Sequence, residues 1–227
     1  FHNHFNFHLQ QIADKQKAIE IADSLLKNQP LLNWEYALIC SDLVNITHQQ
    51  VARQLIKTNS NPITLLNCIK LLGKDAQEDA QCLLQIHQNP DLISACLQIM
   101  GEKAKYEARH LLKGHNNPKV LSVCLQLLGE EAKEDAKRLL RGNQHPQLTR
   151  VCLQALGDEA EKEARRLLWE HHDHQVLTVC LQVLGEKAKE EAQHLLREHH
   201  THQVIAVCFK ILGDEAKEEA RLLLRTH

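Results

Sequence analysis

Residues 124–142 read "CLQLLGEEAKEDAKRLLRG", and residues 152–170 read "CLQALGDEAEKEARRLLWE". A third version, "CLQVLGEKAKEEAQHLLRE", begins at Cys180, so the interval is 28 residues each time. The same interval runs through most of the chain. Cysteines fall at 40, 68, 96, 124, 152, 180 and 208, and glycines at 73, 101, 129, 157, 185 and 213. Pro62, Pro90, Pro118 and Pro146 stand six residues before their cysteines, and His174 and His202 take that place in the last two units. A fixed period of this size marks a repeat architecture, in which the number of units, and not the 227-residue length, sets the organisation.

Each unit reads as two helices. After Pro118, the residues Val120, Leu121, Cys124, Leu125 and Leu128 recur at helical spacing. Proline suits the first turn of a helix, where its missing N–H has no partner to lose. Gly129 fits the left-handed position that ends a helix, and "GEEAKEDA" restarts one with acid in its first turn. Ala132, Ala136, Leu139 and Leu140 then form a narrow apolar stripe, with Lys137, Arg138 and Arg141 near the helix end. The spacing predicts a first helix of about nine residues and a second of about twelve. The leucine pair is expected in the core, so that Leu139→Ala destabilises the chain by about 2–5 kcal/mol.

Twenty-eight is also four heptads, which would suit a coiled coil. A glycine and an X-Asn-Pro or X-His-Pro break in the units argue against one continuous helix. Val123 and Leu127 also widen the apolar face of the first helix beyond a two-position seam. The first helix is therefore a buried layer and the charged second helix its cover. Neither is long enough to stand alone in water, and stacking on the next unit supplies the missing burial. The expected fold is all-α: a right-handed α-solenoid of 28-residue two-helix repeats. Residues 34–227 hold about seven repeats. Residues 1–33 form a divergent N-terminal cap or linker with a partial repeat, in which Ala18, Ala22, Leu25 and Leu26 preserve a second half only. "FHNHFNFHLQ" at 1–10 alternates like a strand but reads here as an irregular cap. Leu222 at the other end replaces a usual polar residue and suggests either a cap or a surface for a further unit.

The "P-x-V…CL-x-x-LG…A-x-x-x-A-x-x-LL" rhythm resembles HEAT-like repeats, in particular the short bacterial kind, over about residues 34–227. The period is shorter than the usual HEAT length. The resemblance implies a binding scaffold, for proteins or for nucleic acids, without naming the ligand.

Composition excludes several classes. A formal net charge of −2 leaves no bulk basic tail for nucleic acid, and no apolar run is long enough for membrane insertion. No basic segment followed by an apolar run opens the sequence. Seven of the eight cysteines share one phase on the apolar side of the first helix. Units stacked roughly 10 Å apart would hold them too far apart for disulfides, so they read as core residues, and the expected setting is cytoplasmic or otherwise intracellular.

Four surface features remain. The loop histidines include "HHDH" at 171–174 and "HHTH" at 199–202, so His171, His172, Asp173, His199 and His200 are the candidates for a zinc or nickel site. Their bland reading is capping of helix C-termini, and no metal or other cofactor is expected. A basic series on the second helices, Arg109, Lys113, Lys137, Arg141, Arg165 and Arg197, forms the ridge that would meet a phosphate backbone if the partner were nucleic acid. Acidic neighbours one to two turns earlier offer it internal partners instead. On the first helices, Gln98, Gln126, Gln154 and Gln182 share a phase, bracketed by Lys70 and Lys210. Four residues before these positions come Leu66, Ser94, Ser122, Arg150, Thr178 and Ala206. This polar strip is expected to see solvent and to suit the backbone of an extended peptide. Trp169, beside arginines and the histidine loop, is a candidate contact residue.

No nucleophile elbow, glycine-rich phosphate loop or isolated carboxylate pair occurs, and a repeated arrangement is a poor way to build one singular catalytic site. The expected function is a non-enzymatic scaffold for a protein or peptide partner. A nucleic-acid-binding array and a histidine-based metal module are the alternatives.

Overall fold

The computed structural model describes residues 15–29, 32–142, 145–170, 172–198 and 201–215. The 1–10 segment and Leu222 lie outside these residues. Among the described residues every regular element is helical. In chain order they are α1 (Lys15–Asn28), α2 (Trp34–Val44), α3 (His48–Thr58), α4 (Pro62–Leu72), α5 (Gln77–Ile86), α6 (Pro90–Met100) and α7 (Lys105–Gly114). There follow α8 (Pro118–Leu128), α9 (Lys133–Gly142), α10 (Pro146–Leu156), α11 (Ala160–Glu170), α12 (His174–Leu184), α13 (Lys189–Glu198) and α14 (His202–Leu212).

The hairpin at 118–142 explains why the line folds this way. The Asn117 side chain accepts a hydrogen bond from the Lys119 N–H at 3.0 Å, and Pro118 fills the first helical position. The helix then runs eleven residues to Leu128, two more than the spacing predicts. Gly129 ends it at φ 54°, ψ −129°, with its N–H bonded to the Leu125 carbonyl. That is not the left-handed helical conformation expected from the sequence. It matches the first central position of a type II′ turn, which glycine adopts most readily. Residues Gly129–Ala132 wind as a 3-10 turn, so the second α-helix starts at Lys133 and is ten residues long. Each hairpin of this kind occupies about 25 residues before the connection to the next.

The chain forms two compact units, Phe1–Tyr106 and Glu107–His227. In the first, α1 packs on α2 and α3, α3 on α4, α5 on α6, and the first helices α4 and α6 on each other. In the second, α9 packs on α10, α11 on α12 and α13 on α14, while α8, α10, α12 and α14 pack in succession. The second helices α3, α5, α9, α11 and α13 thus each cover the first helix that follows. All seven phased cysteines are fully buried, and all eight cysteines are free. Burial pushes the Cys40 and Cys208 thiols up to about 11 and those of Cys68, Cys96, Cys124, Cys152 and Cys180 to about 12. Protonated, inaccessible thiols are core filling. In the 139/140 pair it is Leu140, 2 % exposed, that reaches the core, while Leu139 is half-buried.

Candidate binding surface on the first helices

Gln98 on α6 of the first unit, and Gln126, Gln154 and Gln182 on α8, α10 and α12 of the second, are all exposed although most of their helix neighbours are buried. Their phase is held by the leucine before each one. Leu97, Leu125, Leu153 and Leu181 are fully buried, which turns the next residue outward. Arg150 is exposed one turn before Gln154, and its Nη2 donates to the Gln182 Oε1 at 2.6 Å. Two residues singled out separately in the sequence are therefore joined across neighbouring first helices. Ser94 and Ser122, expected on the same strip, are buried at 2 % and 4 % exposure, so the strip is narrower than the helical period suggests.

In the second unit the strip borders grooves between consecutive first helices. One of about 450 Å³ is lined by Gln126, Arg150, Val151, Gln154 and Val179 among others, and a smaller one of about 210 Å³ shares Gln126, Val151 and Gln154. Further along, a groove of about 390 Å³ is lined by Gln182, Val207, Lys210 and Ile211 together with Glu186 at its glycine end. A groove of about 450 Å³ between these carries Gln154, Val183 and Lys187, with Asp158 and Glu161 at its edge. Each combines an apolar floor with an amide that both donates and accepts hydrogen bonds, the chemistry that suits another chain's backbone.

The basic series on the second helices has a different environment. Arg109 bonds to Glu131, Lys137 to Glu159 at 2.8 Å, and Arg165 to Glu191, while Arg165 also donates to the Lys187 carbonyl at 2.8 Å. In the first unit Arg53 meets Asp75 at 3.7 Å. Every one of these partners belongs to the following hairpin. The Glu159 and Glu134 carboxylates beside Lys137 raise its pKa, and Lys137 in turn holds Glu159 low. Arg138 reaches the other way, to the Leu112 carbonyl in the last turn of α7, at 2.9 Å. Lys113, Arg141 and Arg197 are exposed on the final turns of their helices.

Charge sign is matched across these junctions. Lys189 meets Glu215 at 2.7 Å, and at the preceding junction the same two positions are exchanged, with Glu161 meeting Lys187 at 2.6 Å. Lys187 lowers the Glu161 pKa, and Glu215 raises that of Lys189. The signal lies in the sequence as a correlation between positions 26 residues apart, which a reading of each unit by itself does not reach.

Among the described residues no group of three or more histidine, cysteine or acidic side chains is placed to hold a metal. His171, His199 and His200 fall outside the described residues. The Asp173 carboxylate instead caps α12, accepting from the N–H groups of Gln175 and Val176 at 2.8 and 3.0 Å. His172 is exposed. His115 also acts at a helix start and not at a C-terminal carbonyl, since its Nδ1 accepts from the Asn117 N–H at 3.0 Å. Trp169 is 59 % exposed and lies against the His194 ring with centroids 4.9 Å apart. Among the described residues no helix is long and apolar enough to cross a membrane.

No family model, curated protein or solved structure matches the chain. What it shares with HEAT-like units is the helical-repeat architecture of stacked hairpins.

Proposed function

We propose that the chain is a protein-interaction scaffold whose first-helix face binds an extended segment of a partner, in a right-handed stack of 28-residue units and without an active site of its own. The observation that carries this reading is the alignment, within Glu107–His227, of Gln126, Arg150, Gln154 and Gln182 with successive grooves. Repeated amides on a buried scaffold suit a ligand that is itself periodic, and a polypeptide backbone is one. The free, buried thiols agree with an intracellular setting. Nucleic-acid binding is less favoured, because Arg109, Lys137 and Arg165 are held by carboxylates of the next hairpin.

The test is affinity capture from lysate with and without nuclease, run in parallel with Gln126→Ala/Gln154→Ala and with Lys113→Glu/Arg141→Glu chains. A protein retained after nuclease and lost with the glutamine variant supports the reading. Capture abolished by nuclease and by the Lys113/Arg141 variant transfers the function to the second-helix ridge.

A further inference from the structure

The charge of the first helices narrows the partner, on the basis of the peptide-groove reading above. The helices α8, α10, α12 and α14 contain no aspartate or glutamate at all. Of their exposed lysines and arginines, Lys119 lines a separate groove with Ser122 and His145, while Arg150 and Lys210 line the grooves along the glutamine row, and among the described residues neither of these two is paired with a carboxylate. This contrasts with the second helices, where cations at equivalent positions find acids in the next hairpin. Gln182 holds one end of the Arg150 guanidinium, which leaves further N–H donors of its planar fork for an incoming carboxylate. The acids nearest the row, Asp158 and Glu186, sit at the glycine edge of the grooves, and Glu161 there is already bonded to Lys187.

Spacing adds a second constraint. Packed helices lie roughly 8–10 Å apart, so one groove follows another at about that interval. A polyproline-II chain rises about 3.1 Å per residue with about three residues per turn, which brings one side chain to each groove in step. A β-strand turns alternate side chains away and falls out of step within about three residues. The polyproline-II backbone also makes no internal hydrogen bonds, so its amides are open to the glutamines. Arg150 on α10 and Lys210 on α14 are two helix steps apart, a span of about six such residues.

We infer that the partner segment is an acidic, polyproline-II-type peptide with two carboxylate side chains about six residues apart, one received by Arg150 and the other by Lys210.

The test is fluorescence anisotropy of the full chain with labelled proline-rich synthetic peptides about twelve residues long, bearing aspartates about six residues apart. The comparison peptides carry asparagine or lysine at both positions, or the aspartates about four residues apart. The inference expects the correctly spaced aspartate peptide to bind roughly three- to tenfold tighter than the asparagine peptide. It also expects Arg150→Glu/Lys210→Glu to reverse the preference towards the lysine peptide, with unchanged circular dichroism, while Arg141→Glu leaves it alone. Equal or tighter binding of the asparagine or lysine peptide by the native chain overturns the acidic assignment. The groove reading survives that result if Gln126→Ala/Gln154→Ala weakens the binding observed. Aspartate binding indifferent to spacing or to the Arg150/Lys210 reversal also overturns the inference, and absence of binding by every peptide overturns both.

Discussion

Arg150 and Lys210 on the first helices and Arg109, Lys137 and Arg165 on the second carry the same charge in different company. The second-helix cations reach forward to carboxylates of the following hairpin, whereas among the described residues neither first-helix cation is bonded to a carboxylate, and Glu186 stands only at the glycine end of the Lys210 groove. The difference follows from how each helix is covered. A first helix is buried on most sides by its neighbours, so its few exposed positions have little internal business. A second helix is a solvated cover, and its charges help to hold one hairpin against the next. Positive charge alone therefore does not locate a binding face in a repeat protein. What matters is whether the array already supplies the counter-charge.

Within each unit both faces rest on a buried core, and the largest effect comes from attacking it. The seven buried thiols keep their protons up to about 11 or 12, whereas unfolded thiols lose them from about 9. Their folded pKa values are raised, so this stability is complete below the unfolded value and is lost as pH rises towards the folded one. At about pH 10 each contributes a loss of about 1.4 kcal/mol, so the three thiols of Phe1–Tyr106 and the four of Glu107–His227 remove a large share of the stability of a typical domain from each unit. Far-ultraviolet circular dichroism is expected to collapse between about pH 9 and 11, taking both faces with it. A native spectrum at about pH 11 would sink this account of the core.

Leu140→Ala is next, with an expected destabilisation of about 2–5 kcal/mol by denaturant unfolding, against a smaller loss for the half-buried Leu139→Ala. Equal losses would mean that the boundary between cover and core is misplaced. Gly157→Ala follows at about 1–3 kcal/mol. Its φ of 54° is strained for any side chain, and the nearest atom to an added Cβ, the Glu130 Oε1, lies at an ordinary 3.8 Å, so the loss is a backbone cost. The smallest effects sharpen the comparison itself. Lys187→Glu is expected to lower the melting temperature slightly and in a salt-dependent way, and Glu161→Lys in the same chain to restore it. Arg150→Glu is expected to leave the melting temperature unchanged. If Arg150→Glu destabilises as much as Lys187→Glu, the two sets of cations are not different in kind.

Much of the frame is legible in the line of residues. Pro118, Cys124, Gly129 and the alanines at 132 and 136 mark where a helix starts, what it buries, where it stops and where the next one presses close. The outward phase of Gln126 and Gln154 follows from the leucines beside them. Other features are not local. The ψ of Gly129 depends on the 3-10 turn that follows it, and four residues of "GEEA" look as helical as the stretch they precede. Ser122 is small enough to be covered by a neighbouring helix, which its polarity does not disclose. Arg150 and Gln182 are 32 residues apart and belong to no common local pattern, so only packing brings them together.

The exchanged signs at Glu161 and Lys187 have a consequence for how such a gene changes. Unequal crossing-over between nearly identical 28-residue lines removes or adds whole units in frame. Loss of residues 113–140 would set Arg109 opposite Glu159, and the junction would remain attractive. Loss of residues 141–168 would set Lys137 opposite Lys187, and it would repel. The alternation thus works as a record of order: some copies can be lost with little penalty, while others are fixed in place by the sign of their neighbours.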